Sequence, residues 1–392
     1  MRVSRLIPIV LVVGTSVLLE ACTGCREDPV HLIDGEPEEP HDIGQYLSMD
    51  VMDGDPVVSY YDRTKGALAF SVGTIEDGTV SWEEERIDGY AGDDGLDPGD
   101  RGKYTSLAVD GSGTAWITYY DSTNGNLFYA RRSGKDDWET GLADTGSGPT
   151  PDAGLFSSLQ LRDDLPVVAH YDAGKGQLRI VHWNDNSWDS EVVDEGEPFV
   201  AEDTASGLED KDADVGKYAE LLIDGSSTYI AYYDAANGDL KLAVDSGAGW
   251  EITVVDEGSI DEDGLEADVG QWPSLLSSGG EIIIAYQDVT NQDLRIARGS
   301  GDTWTTELVD DGEWAGADGE LFDNGSFPAI VYFDGEDNDV RLATSDGSAW
   351  TLDTLGGQEA GLGFHNETVT IGGTRYVACY DYTNRTIWFA KL

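Results

Sequence analysis

The sequence predicts an all-β protein, a seven-bladed β-propeller of four-stranded blades, on three observations. The first is a phrase written seven times, always closing on Asp. It reads "VSYYD" at Asp62, "ITYYD" at Asp121, "VAHYD" at Asp172, "IAYYD" at Asp234, "IAYQD" at Asp288, "IVYFD" at Asp334 and "VACYD" at Asp381. The second is that each repeat carries β-prone runs bounded by Gly, Asn, Asp and Ser, with no sustained helical period. The third is a count that does not close within the last repeat. Six fourth strands begin with Trp (Trp82, Trp138, Trp188, Trp250, Trp304, Trp350), whereas the seventh repeat stops one strand short.

Residues 214–257 show one unit clearly. Four runs, "YAELLID", "TYIAYYD", "LKLAVD" and "WEITVVD", occupy about 45 residues, the period expected of a propeller blade. The second run is apolar or aromatic on both faces, as a sheet packed between two others requires. The missing strand is found at the other end of the chain, where "VHLIDGE" (30–36) resembles the fourth-strand endings. Pairing it into the last blade would close the ring and leave no open edge. One propeller domain is therefore expected over 30–392.

The repeated Asp opens "D-x-x-N-G-x-L" connectors between second and third strands. An Asp at the first turn position accepts backbone N–H bonds and Gly supplies positive φ. Asp62, Asp121, Asp172, Asp234, Asp288, Asp334 and Asp381 are accordingly expected to be structural turn residues, and the Tyr pair before them blade packing.

The N-terminus is a targeting segment by composition. Arg2 and Arg5 precede an apolar stretch of about 14 residues, short of the ~20 a spanning helix needs. It ends in "LLEAC", which resembles a bacterial lipobox with Cys22 as the lipidated residue, although Glu20 is unusual in its middle. The resemblance implies a signal peptide over 1–21, a short linker over 22–29 and a lipid-anchored protein of the outer membrane or cell surface. Cys25 and Cys379 suggest neither a disulfide framework nor a metal cluster.

The charge is extreme, 77 acidic against 23 basic residues for a net −54. Nucleic acid and anionic membrane surfaces would be repelled and are poor partners, which leaves cations, basic proteins and neutral sugars. A second phrase, D-x-G-x-aromatic-x-S, opens the first strand at Asp42, Asp100, Asp152 and Asp268, and at Asp214 with Glu220 in place of Ser. The sixth and seventh repeats, with "GADGELF" and "AGLGFHN", lack it. These lead aspartates should share one face with the "YYD" turns and with long acidic linkers, where binding concentrates on a rigid scaffold. Asp42, Asp100, Asp152, Asp214 and Asp268 are therefore candidate ligand-binding residues. Asp100, Asp214 and Asp268 are candidate Ca²⁺ ligands, Ca²⁺ favouring several oxygens. No loop has EF-hand spacing, and solvation in high salt is the competing account of the acidity. Tyr90 and Trp314 fall outside the repeat pattern and are further candidates for ligand contact.

The repeats resemble a class of secreted bacterial propeller repeats of pattern "DVGxYxSLxxDxxGxxxIAYYDxxNGDLKxA", over about residues 30–392 and most cleanly over 214–243. They are more loosely similar to sialidase-type propellers, whose Asp-box is echoed by "SGDTW" at Ser300–Trp304 and "SDGSAW" at Ser345–Trp350. Fold follows from such a resemblance, and function does not. No catalytic residue is assigned: Arg179, Arg295, Arg341 and Arg375 occur singly, at positions read as solvent-edge packing, and no histidine has metal spacing. His170, standing for the first Tyr of one phrase, is read as packing. The function expected is an anchored, monomeric propeller that binds a glycan or protein on an acidic face. A glycosidase-class hydrolase and a non-catalytic scaffold remain as alternatives.

Overall fold

Alternating turn signals and doubly apolar strands produce seven four-stranded antiparallel sheets. The computed structural model describes residues 30–32, 41–76, 79–90, 99–147, 151–184, 186–197, 199–203, 207–211, 213–260, 266–356 and 361–392. The signal segment, Cys22, Cys25 and the remainder of the 30–36 strand lie outside them. Blades 1 to 6 take their strands in sequence order, beginning at Ile43, Arg101, Ala153, Val215, Val269 and Ala315. Blade 7 is built from Phe364–Ile371, Thr374–Asp381 and Thr386–Lys391 and is completed by Val30–Leu32, antiparallel to the last of these. The described residues contain no helix. Between blades 3 and 4, the acidic linker read as a loop contributes to a two-stranded hairpin, Phe199–Asp203 with Gly207–Lys211.

Each core layer lies between neighbouring blades. Tyr232 and Ile230 of blade 4 pack with Val167, Ile180 and Val193 of blade 3, and the same arrangement recurs around the ring. The Tyr pair adds polar contacts at both ends of this apolar layer. The first Tyr donates to the Asp closing the fourth strand of the preceding blade: Tyr119 to Asp88 at 2.6 Å, Tyr232 to Asp194 at 2.6 Å, Tyr286 to Asp256 at 2.5 Å and Tyr332 to Asp310 at 2.5 Å. His170 takes this place in blade 3, with Nε2 3.2 Å from Asp144. In blade 7 the residue is Cys379, and the strand it faces ends in Gly356 instead of Asp.

The third-strand arginines are not solvent-edge packing, which corrects the sequence expectation. Arg341 bridges Asp310 (3.0 Å) and Asp334 (2.7 Å), and Arg179 Nε lies 2.9 Å from Asp144. Burial raises the Asp144 carboxyl, but hydrogen bonds from His170 and Ser190 and the charge of Arg179 outweigh it and hold the group well below its ordinary range. These residues neutralise carboxylates that blade packing removes from water. Arg375 instead stacks over Phe322 and donates to Thr368 and to the Asp323 carbonyl.

The turn aspartates accept backbone N–H groups of their own turns. Asp121 does so from Thr123 and Asn124, Asp234 from Ala236 and Asn237, Asp288 from Asn291, Asp334 from Glu336, Asp381 from Asn384 and Asp62 from Lys65. Asp172 differs: its carboxylate takes the N–H and hydroxyl of Ser147, from the linker after blade 2.

Candidate functional site: the axial cavity

The D-x-G-x-aromatic phrase encodes a distortion of the innermost strand. Two register shifts follow one another there in blades 1 to 6. They leave two left-handed residues two positions apart, for example Gly216 (φ 107°) and Tyr218 (φ 56°). The Gly is required by close approach, since a Cβ on Gly102 would stand 2.8 Å from Leu68 Cα of the preceding blade. The bulge re-aims the side chain two residues later.

Blades 6 and 7 lack the phrase, as the sequence shows, yet keep the backbone conformation it encodes. Gly316 (φ 94°) precedes Asp318 (φ 50°), and Gly363 (φ 102°) precedes His365 (φ 54°). What those blades lost is the lead Asp, replaced by Trp314 and Gly361, and the aromatic residue.

The seven re-aimed residues, Tyr46, Tyr104, Phe156, Tyr218, Trp272, Asp318 and His365, line one cavity of about 180 Å³ on the propeller axis. Successive aromatic centroids lie 4.5, 4.8, 4.6 and 4.2 Å apart from Tyr46 to Trp272. His365 closes onto Tyr46 at 4.8 Å and faces Asp318 with Nδ1 3.6 Å from Oδ1. The result is a collar of five aromatic rings and one Asp–His pair.

Two residues further along each inner strand stands the Ser of the phrase or a Glu. The serines tie the inner strands together: Ser48, Ser106, Ser158 and Ser274 accept the N–H groups of Leu107, Leu159, Leu221 and Leu321 of the next blade at 2.9–3.1 Å. In blades 4, 6 and 7 the position is Glu220, Glu320 and Glu367, all three lining the same cavity. Ser158 donates to Glu220 at 3.2 Å and Ser274 to Glu320 at 3.4 Å. These three residues are half-buried, with surface open to the cavity, and burial dominates their titration. It pushes Glu220 up to about 7. Burial and then the charge of Glu220 push Glu320 up to about 8, and burial with both neighbours raises Glu367 well above the ordinary range. No Lys or Arg lines the cavity among the described residues.

The lead aspartates lie in the seams between blades. The second Tyr of one blade donates to the lead Asp of the next: Tyr61 to Asp100, Tyr120 to Asp152, Tyr171 to Asp214, Tyr233 to Asp268 and Tyr380 to Asp42, at 2.5–2.8 Å. Where the lead residue is Trp314 or Gly361, the second Tyr of the preceding blade is also gone, to Gln287 or Phe333, so the pair disappears as a unit. Asp100 and Asp214 are further bound by Lys103 and Lys217, each at 2.6 Å. Among the described residues no group of three or more His, Cys, Asp or Glu side chains is placed to hold a metal ion. Trp314 is 54% exposed, and Tyr90 is half-buried, its hydroxyl donating to Asp62 at 3.3 Å. Neither lines the axial cavity.

Sequence reasoning passed over Asp318, His365, Glu320 and Glu367, and quoted the five collar aromatics only as parts of a motif. The usable signal was the position two residues after the phrase's Gly, in every repeat whether or not an Asp led it.

Fold and site together define a seven-bladed propeller with an acidic, aromatic axial cavity. No protein-family model matches this chain, and no curated protein matches it in sequence. Among solved structures it is similar to the α-L-arabinofuranosidase Arb93a of Fusarium graminearum, with TM-score 0.50 and 10% identity over 74% of this chain and 92% of that one. It is similar also to polysaccharide lyase Uly1, with TM-score 0.52 and 9% identity over 88% and 89%. A Hadza microbial sialidase matches at TM-score 0.47 and 16% identity over 79% and 65%. At these identities the likeness lies in the fold alone.

Proposed function

We propose that this protein is an exported propeller that binds a glycan in its axial cavity. The observation that carries the reading is the collar of five aromatic rings set directly over hydrogen-bonding carboxyls. Aromatic faces suit the apolar faces of sugar rings, and polar groups beneath them fix orientation. A volume of about 180 Å³ is below the ~300–1,000 Å³ of drug-sized pockets, so it admits about one sugar unit, a chain end or a branch. Two structural neighbours, an arabinofuranosidase and a polysaccharide lyase, are named for carbohydrate chemistry, which lends support at the level of class.

A glycan array followed by calorimetry tests this, with Ca²⁺ and again with chelator, since the acidic linkers keep Ca²⁺ as a proposed cofactor. Trp272→Ala should weaken the best ligand by ~10-fold or more, as loss of a central aromatic anchor does. Unchanged affinity in a folded Trp272→Ala variant would rule out the axial cavity as the site.

A hydrolase is the second reading, favoured by Glu220 and Glu320. Carboxyls that keep a proton near neutral pH are what a general acid requires. Release of reducing sugar from a bound glycan, abolished in Glu320→Gln, is the result that would move the protein to this class.

The lipobox-like "LLEAC" supports a lipid anchor at Cys22. In a bacterial host the full chain should then partition into detergent and Cys22→Ser should not. Equal partitioning of the two would sink the anchor.

A further inference from the structure

Resting on the glycan reading, we propose that the axial cavity selects a sugar carrying a free primary ammonium group, with the ammonium held among Glu220, Glu320 and Glu367 beneath the aromatic collar. Four observations carry this. The cavity wall offers four acidic side chains, the three glutamates and Asp318, and no Lys or Arg among its described residues. A neutral sugar brings no counter-charge for these carboxyls to ionise against, and an anionic one opposes their ionisation.

The collar presents π-electron faces to the same space, and such faces attract an ammonium within about 6 Å. Stacked aromatics alone would take any sugar, whereas aromatics over carboxyls discriminate by charge. The third observation is an acceptor without a donor. Asn366, 7% exposed and lining the cavity, spends its amide N–H groups on the carbonyls of Asp318 and Gly363 at 2.8 and 2.7 Å, while its Oδ1 has no hydrogen-bond partner. A buried acceptor left unpaired is costly, and an N–H donor in the cavity would relieve it. The fourth is the state of the carboxyls. Burial raises their proton affinity, Arg375 offsets this only in part at Glu320, and a bound ammonium supplies a counter-charge inside the cavity itself. An ammonium carries three donors, as many as the converging glutamates.

The test uses three oligosaccharides of one length and one β-1,4 backbone that differ only at C2: an amine, an N-acetyl group and a hydroxyl. Calorimetry is run at near-neutral pH in enough salt to screen the long-range field of a −54 chain. The amine form should bind ~10-fold or more tighter than the other two. Glu220→Gln/Glu320→Gln should erase that preference while Trp272→Ala weakens all three, which separates charge selection from stacking. Tetralysine is the control for simple attraction to an acidic surface. Equal binding of the three sugars overturns the proposal and leaves the glycan reading standing. A preference that survives in the Gln variant, or that tetralysine reproduces, overturns it too. Failure of all three to bind, with other glycans bound, overturns it alone; failure of every glycan overturns both readings.

Discussion

Gly270→Ala should destabilise the protein by about 3–4 kcal/mol, among the largest effects of a single methyl group. Two causes act together. Gly270 has φ 98°, a conformation that costs an L-residue roughly 1–3 kcal/mol. Its added Cβ would also stand 2.6 Å from Leu240 Cα and 2.7 Å from Leu240 N, main-chain atoms of blade 4 that cannot swing aside. Gly249→Ala is the control, with φ 102° and no atom within 4 Å of the new Cβ, and should cost only the conformational part, about 1–2 kcal/mol. Urea midpoints of the two variants decide the matter. Equal losses would mean that the approach of inner strand to preceding blade does not demand glycine.

The second large effect is on the pH dependence of stability. In the unfolded chain Glu220 and Glu320 titrate near 4.5, and in the cavity at about 7 and about 8. Below about pH 4.5 both states hold the protons and nothing is lost. As pH rises, the unfolded chain releases its protons while the folded one retains them, so stability falls until the cavity groups ionise in turn. For Glu220 the rise from 4.5 to about 7 corresponds to at most ~3.4 kcal/mol, and less in practice because the residue is only half-buried. Glu220→Gln/Glu320→Gln, uncharged at every pH, should match wild type near pH 4 and exceed it by roughly 2–4 kcal/mol at pH 8. The other groups around the cavity remain in both proteins: Glu367, Asp318, His365, the tyrosines of the collar, and Arg375, whose charge reaches Glu320. A gap independent of pH would show that these carboxyls do not hold their protons in the folded protein.

The architecture was legible because it is written in side chains. Seven Asp-ended second strands and six Trp-led fourth strands give the blade number, and "VHL" at Val30–Leu32 supplies the strand the last blade lacks. The site was less legible because it is written in the backbone. Glu220 stood out as a break in an otherwise repeated Ser. Glu320 and Glu367 occupy the same position in blades whose lead Asp and aromatic residue are gone, so side-chain pattern alone hid them. What persists there is a single Gly and the bulge it permits, and only the fold shows that Asp318 and His365 continue the collar. The lead aspartates were conspicuous for a different reason. They and the second Tyr of the preceding blade come and go together, as at Trp314 with Gln287 and Gly361 with Phe333, because each satisfies the other's polar group.

The pairing of Val30–Leu32 with Thr386–Lys391 has a temporal consequence. The strand that emerges first from the ribosome finds its partner only after Thr386–Lys391 has been synthesised. Until then every partial chain is an arc with two unsealed ends, and loop-closure entropy for the whole length must be overcome in one late step. Closure of the ring is thus deferred until Thr386–Lys391 is available to receive Val30–Leu32.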